Sequence, residues 1–171
     1  MTRRRIGTRL FRPAVLLAAA ALAGCVVRPL GPAEAPPAPE SGSPPREVAA
    51  YHLVEDGREQ LAMGRTATAI ATFQKALALA PSSPHANLAL AEAKVRQGEH
   101  RAALVYCERV VRLVGERGEW GWRVALIRAL AYEGTGDRGR AVAEYRKVLA
   151  HIPEHPEALA GLARLAPAAT P

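Results

Sequence analysis

Apolar residues recur at helical spacing through most of this chain. Ala69, Phe73, Ala76 and Leu77 stand at i, i+4, i+7 and i+8, and the run closes at Pro81. The same order returns as Ala141, Tyr145, Val148 and Leu149, closing at Pro153. A degenerate copy between them, Ala103, Cys107 and Val110, ends at Gly115 instead of proline. Such spacing places the apolar residues on one face of a helix, and a proline ends it by removing a donor and clashing with the preceding turn. The copies begin 34 and then 38 residues apart, a period that marks stacked supersecondary units. From about residue 47 to 166 the pattern is helical throughout, with no alternating strand-like run.

Upstream of residue 47 the pattern changes. Residues 2–12 are basic, residues 13–23 are uncharged and mainly apolar, and small residues follow. That order predicts a signal peptide over residues 1–24, its apolar run falling short of the roughly 20 residues a spanning helix needs. The charge supports this division. The net charge of +7 looks suited to nucleic acid, yet Arg3, Arg4, Arg5, Arg9 and Arg12 all precede Cys25 and no acidic residue does. Without that segment 18 basic residues face 16 acidic ones, and no dense cationic stripe for a phosphate backbone remains. No nucleic-acid partner is expected. Leu22-Ala23-Gly24-Cys25 resembles the lipobox of bacterial lipoproteins at all four positions. The resemblance implies cleavage before Cys25, lipid on its thiol and anchoring to a membrane. Val26 in place of aspartate implies export to the periplasmic face of the outer membrane. Residues 28–46 hold seven prolines in 19 positions, so residues 25–46 read as an extended tether, reaching up to about 60 Å.

The paired helices resemble tetratricopeptide repeats over about 120 of the 171 residues. That resemblance implies an all-α fold: a short α-solenoid of about three helix hairpins, at residues 50–83, 84–117 and 122–155, with a closing helix at 156–166 and a disordered tail at 167–171. Gly57, Ala69, Ala76, Ala91, Ala103, Ala129 and Ala141 are the close-contact positions, and Gly64, Gly98 and Gly136 the turn glycines. Asp56 and Gln60 depart from the family pattern, and the segment Gly118-Glu119-Trp120-Gly121 reads as a lengthened connection before the third hairpin. The inner face of such a solenoid is lined by first helices, which here implies Tyr51, Val54, Arg58 and Leu61, then His85, Leu88, Glu92, Val95 and Arg96, then Arg123, Leu126, Leu130 and Glu133. Leucines with arginines and glutamates suit an amphipathic or extended peptide. The competing account packs the leucines between adjacent first helices. Trp120 and Trp122 are either exposed hot spots or staples that fix the longer connection. The set by which co-chaperone repeats clamp a C-terminal carboxylate is missing, with Val54, Arg58, Ala89 and Ile127 in its place.

Chemistry-bearing motifs are few. Gly134-Thr135-Gly136-Asp137-Arg138-Gly139 spells a dinucleotide fingerprint but follows a helical run instead of a strand, so it reads as a turn. His151 and His155 have metal-like spacing with Pro153 between them, which prevents one helix from presenting both. Cys107, at the aromatic position of its repeat, reads as a small buried hydrophobe. No nucleophile elbow, phosphate loop, zinc-protease or C-x-x-C motif occurs. The expectation is a non-catalytic binding scaffold without cofactor or metal, its partner a protein or peptide segment in the inner groove. By resemblance it assists assembly of an outer-membrane, pilus or secretion complex. The alternatives are an adaptor for cell-wall enzymes and, more distantly, an enzyme with an unrecognised site.

Overall fold

The computed structural model describes residues 38–166. The signal peptide at 1–24, Cys25, most of the tether and the tail at 167–171 lie outside the described residues. Seven helices and no strand occur among the described residues: α1 (Pro45–Ala62), α2 (Thr66–Leu79), α3 (Pro84–Arg96), α4 (His100–Val114), α5 (Gly118–Thr135), α6 (Arg138–His151) and α7 (Pro156–Arg164). α1 with α2, α3 with α4, and α5 with α6 form antiparallel hairpins, and α7 closes the row against α6. First helices also meet one another, α1 on α3 and α3 on α5.

Local chemistry sets the ends of these helices. α1, α3 and α7 each open with proline, whose missing donor costs nothing in a first turn and whose φ is already helical. α1 accordingly starts at Pro45, two residues ahead of the expected domain boundary. Ser83, Asp137 and His155 cap α3, α6 and α7 by accepting the backbone N–H of Ala86, Arg140 and Ala158. After α5, Gly136 takes φ +79°. Its N–H reaches the Glu133 carbonyl while Asp137 N–H reaches that of Tyr132, at 3.1 and 2.9 Å. This left-handed ending suits glycine and satisfies two carbonyls. Gly64 and Gly98 end α1 and α3 in the same way, so Gly134 to Gly139 form a helix–turn–helix and no dinucleotide loop.

One expectation changes. Gly118 to Gly121 form the first turn of α5 instead of lengthening a connection. Gly115 stops α4 with φ +79°, and Gly118 starts α5 with φ +63°. The chain then folds back so closely that a Cβ on Gly121 would lie 2.7 Å from the Glu116 carbonyl carbon. Only glycine admits that approach, and it leaves Trp120 and Trp122 inside a helix.

The core is continuous along the row. One cluster joins α1, α2 and α3 through Val54, Leu61, Ile70, Phe73 and Leu90. A second joins α3, α4 and α5 through Leu88, Cys107, Val110, Val124 and Ile127. A third joins α5, α6 and α7 through Trp122, Leu126, Ala129, Tyr145, Val148 and Ala158. Adjacent leucines on α3, Leu88 and Leu90, thus serve two different clusters. Eight of the 13 residues of α3 are buried, as expected of a helix apolar on nearly all sides. Glycine and alanine let paired helices close up: a Cβ on Gly57 would stand 2.6 Å from Phe73 Cδ1, and one on Gly161 would stand 2.7 Å from Tyr145 Oη.

Candidate functional site

Side-by-side packing of α1, α3 and α5 brings three aromatic rings into a row, with His85 and Trp120 in the first turns of α3 and α5 and Tyr51 in the second turn of α1. The Tyr51 and His85 rings are 5.0 Å apart and nearly perpendicular, and His85 and Trp120 are 4.9 Å apart at 74°. These are edge-to-face contacts, the geometry favoured by the ring quadrupole. His85 is buried at the centre, while Tyr51 and Trp120 are half-buried on either side. Trp120 leans on the α3–α4–α5 cluster. Sequence spacing named all three residues but did not show that they form one row, because Trp120 comes from the turn read as a connection.

Three of the arginines on these helices are each paired within their own helix. Arg58 meets Glu55 at 2.9 Å, Arg96 meets Glu92 at 2.8 Å, and Arg123 meets Glu119 at 2.9 Å. The Arg96–Glu92 pair is the most withdrawn from water, with side chains 13% and 14% exposed. Arg96 Nε is buried and has no hydrogen-bond partner. Arg123 also lies over the Trp122 ring at 4.3 Å, a cation–π distance. The pairs leave the first helices polar at these positions without an excess of either charge.

Several expected lining residues lie elsewhere. Leu88 and Leu126 are 4% and 1% exposed and belong to the second and third clusters, so they pack between hairpins and offer no partner surface. Val54 and Leu61 are buried against α2 and α3. Leu130 and Val95 are half-buried at the edges of their clusters. Trp122 is buried, with His151 and His155 beside its ring at 6.3 and 5.7 Å. It is a staple, and only Trp120 retains exposed surface. Val54, Ala89 and Ile127, three of the four clamp positions, are buried apolar residues. They have nothing to give a terminal carboxylate.

Glu133 acts as a brace. It accepts the Tyr145 hydroxyl at 2.6 Å and the Arg164 guanidinium at 2.7 and 2.9 Å, tying α5, α6 and α7 together. Burial alone would raise its pKa, but the hydrogen bonds from Arg164 and Tyr145 outweigh that and hold it below the usual carboxylate range. Burial, then Glu133, pushes the Tyr145 hydroxyl up. This link spans 31 residues of sequence, so no local pattern could reveal it. Cys107 is fully buried and its thiol is pushed up to about 12 by desolvation. His151 ends α6 and His155 caps α7. Among the described residues no group of three or more histidines, cysteines or carboxylates is placed to hold a metal, and no helix is long and apolar enough to cross a membrane.

Two family models, both described as tetratricopeptide repeat, match residues 60–120 and 122–165. No curated protein matches the sequence. Among solved structures, the Arabidopsis OM64 tetratricopeptide domain is similar with a TM-score of 0.62 and 18% identity, over 70% of this chain and 96% of that one. A tetratricopeptide-like protein from Chlorobium tepidum gives 0.56 at 22% identity, covering 70% of this chain and 91% of that one. The first tetratricopeptide domain of Spaghetti, bound to an HSP90 peptide SRMEEVD, gives 0.59 at 23% identity, over 68% and 89% of the two chains. At these identities the likeness is one of fold.

Proposed function

The chain belongs to the tetratricopeptide repeat proteins, and we propose that it is a non-catalytic scaffold that holds a peptide segment of a partner protein on its first helices. The observation that carries this reading is the row Tyr51, His85 and Trp120 across α1, α3 and α5, with Arg58, Arg96 and Arg123 on the same helices. Half-buried aromatic residues on a rigid frame supply contact area at low entropy cost. Arginines elsewhere on the same helices suit acidic groups flanking an apolar anchor. The partner differs from the EEVD-ending peptide bound by the Spaghetti domain, because three of the four clamp positions here are buried and apolar. The lipobox supports a further part of the proposal: Cys25 carries lipid, and the domain stands off a bacterial membrane in the periplasm, where it aids assembly of an envelope complex.

Crosslinking in the native cell, followed by mass spectrometry, tests the binding role. The expected result is partner crosslinks concentrated at residues near Tyr51, Arg96 and Trp120, and their loss in a Tyr51→Ala, Trp120→Ala variant that keeps its helical circular dichroism. Crosslinks confined to α2, α4 and α6 would move the site to the opposite helices. Intact mass of the native protein tests the anchor, with two or three acyl chains expected on Cys25 because one alone binds membranes only marginally. An unmodified Cys25, or a mature N-terminus elsewhere, ends that part of the proposal.

A further inference from the structure

Charge is divided between the two layers of helices. The second helices of the hairpins, α2, α4 and α6, carry eight basic and two acidic residues, whereas the first helices, α1, α3 and α5, carry six basic and seven acidic ones. The residues just before the second helices, Arg65, Glu99 and Asp137, do not reverse that balance. Burial sharpens the difference. Glu144 is 8% exposed, which leaves Glu108 as the one exposed carboxylate within α2, α4 and α6, against exposed Lys75, Arg101, Arg109, Arg112 and Arg146. Pairing differs as well. On the first helices Arg58, Arg96, Arg123 and Arg128 each hold a glutamate. On the second helices Arg140 and Lys147 hold Asp137 and Glu144, but Arg101, Arg112 and Arg146 hold no carboxylate among the described residues. The near balance of the composition therefore conceals a cationic face that folding assembles on one layer.

Aliphatic side chains stand among these cations. Of the six large hydrophobic residues exposed among the described residues, Leu79, Val105, Leu113 and Val114 lie on α2 and α4, and Val105 is 50% exposed. Successive helices are antiparallel, so α2, α4 and α6 run in one direction. Leu79, Leu113 and Val114 end α2 and α4 and so fall at one end of the row. It is the end at which Pro45 opens α1 and the preceding chain enters. A nucleic-acid strand is held by exposed aromatic rings interleaved with cations. Here Phe73 and Tyr145 are buried, and Tyr106 is half-buried beneath Arg109. Cations interleaved with short aliphatics instead suit a plane of anionic headgroups over an acyl layer.

We propose that α2, α4 and α6 form a membrane-facing surface that lies on anionic phospholipid, leaving the first helices turned away from the bilayer. This goes beyond the peptide-binding role and does not depend on the aromatic row, so either can fail alone. The test mixes the full chain with vesicles of equal parts phosphatidylglycerol and phosphatidylcholine, or of phosphatidylcholine alone, each doped with a quencher lipid. An environment-sensitive fluorophore is placed on Val105→Cys in α4 or on Asp56→Cys in α1, both exposed. The N-terminal segment is the same in every variant, so its own attachment cancels in the comparison. Quenching several-fold greater at position 105 than at position 56 is expected on the anionic vesicles. That difference should vanish on phosphatidylcholine, at high salt, and in an Arg101→Glu, Arg112→Glu, Arg146→Glu variant that keeps its melting temperature. Equal quenching at the two positions, or greater quenching at position 56, would overturn the proposal. Undiminished quenching on phosphatidylcholine would overturn the role of charge. A single-stranded oligonucleotide that displaces the protein from vesicles at equal phosphate concentration would reassign the face to nucleic acid.

Discussion

Adding a single methyl group to Gly57 sets two well-understood effects against each other. Gly57 lies in the interior of α1, where glycine is about 1 kcal/mol less favourable than alanine. On propensity alone, Gly57→Ala should stabilise the protein. The structure reverses that expectation. The new Cβ would stand 2.6 Å from Phe73 Cδ1 and 3.1 Å from Cζ, against about 3.5–4.0 Å for an unstrained carbon pair. Phe73 is fully buried among Ala50, Val54, Ala76 and Leu90, so its rigid ring cannot swing aside. Overpacking of this kind costs about 1–3 kcal/mol, from which the helix gain of about 1 kcal/mol is subtracted. The net expectation is a loss of up to about 2 kcal/mol, or up to roughly 8 °C in melting temperature. Gly139→Ala is the control. Gly139 sits in the first turn of α6 with only Asp137 Oδ1 nearby, at 3.9 Å, and the same substitution should leave the melt unchanged or raise it slightly. Adding Phe73→Leu to Gly57→Ala should cost less than the two single changes together, by about 1 kcal/mol. Thermal melts followed by circular dichroism read all four variants. A stabilised Gly57→Ala, or strictly additive energies in the double variant, would refute the close α1–α2 contact.

Three further substitutions probe the packing and its electrostatics. Ala103 is fully buried in α4, so Ala103→Leu should cost about 1–3 kcal/mol, while Ala38→Leu on exposed chain should be silent. Equal melts for the two would contradict the helix register. Leu126→Glu puts a carboxylate into the α5–α6–α7 cluster and should lower stability by more than about 3 kcal/mol, whereas an unchanged melt would return Leu126 to the surface. Because the Glu133 carboxyl is held below its usual pKa, its stabilisation is complete above the unfolded value of about 4.3 and is lost as pH falls through the lower folded value. Glu133→Gln should therefore flatten the fall in melting temperature between about pH 5 and pH 3, and parallel profiles for the two proteins would exclude the brace.

The hairpins were legible because their determinants are local. The order small–aromatic–small ending in proline repeats, and Gly64, Gly98 and Gly136 mark turns that only a left-handed residue completes. The site was legible only in part. Periodicity identified α3 and α5 as apolar on nearly every side but could not say which side meets another helix. Leu88 and Leu90 are two positions apart and serve clusters on opposite sides of α3. A spacing argument therefore offered Leu88 to a partner when the neighbouring hairpin already covered it. Trp120 was misplaced for a different reason. Gly118 and Gly121 read as loop residues by composition, whereas here one supplies a positive φ at the helix start and the other admits the Glu116 carbonyl. The Glu133–Tyr145–Arg164 brace depends on residues brought together by folding alone.

Burial of Leu88 and Leu126 changes what the proposed binding face can achieve. With the leucines withdrawn, little continuous apolar surface remains there, and the half-buried rings of Tyr51 and Trp120 are left as the main source of contact area. Arg58, Arg96 and Arg123 do not stand ready as free cations, since each already holds a glutamate at 2.8–2.9 Å. An acidic partner must exchange one charge-assisted bond for another, so the net gain per arginine is small. The charges then govern which partner approaches and in what register, while the aromatic row governs how long it stays. Arg96 is the extreme case within this scheme. Its Nε is buried and unpaired while its terminal nitrogen binds Glu92, so a partner oxygen reaches that donor only if the side chain shifts and opens the Glu92 pair. Opening a pair whose two side chains are only 13% and 14% exposed costs more than the new contact returns, so of the three arginines Arg96 is the least suited to contribute affinity.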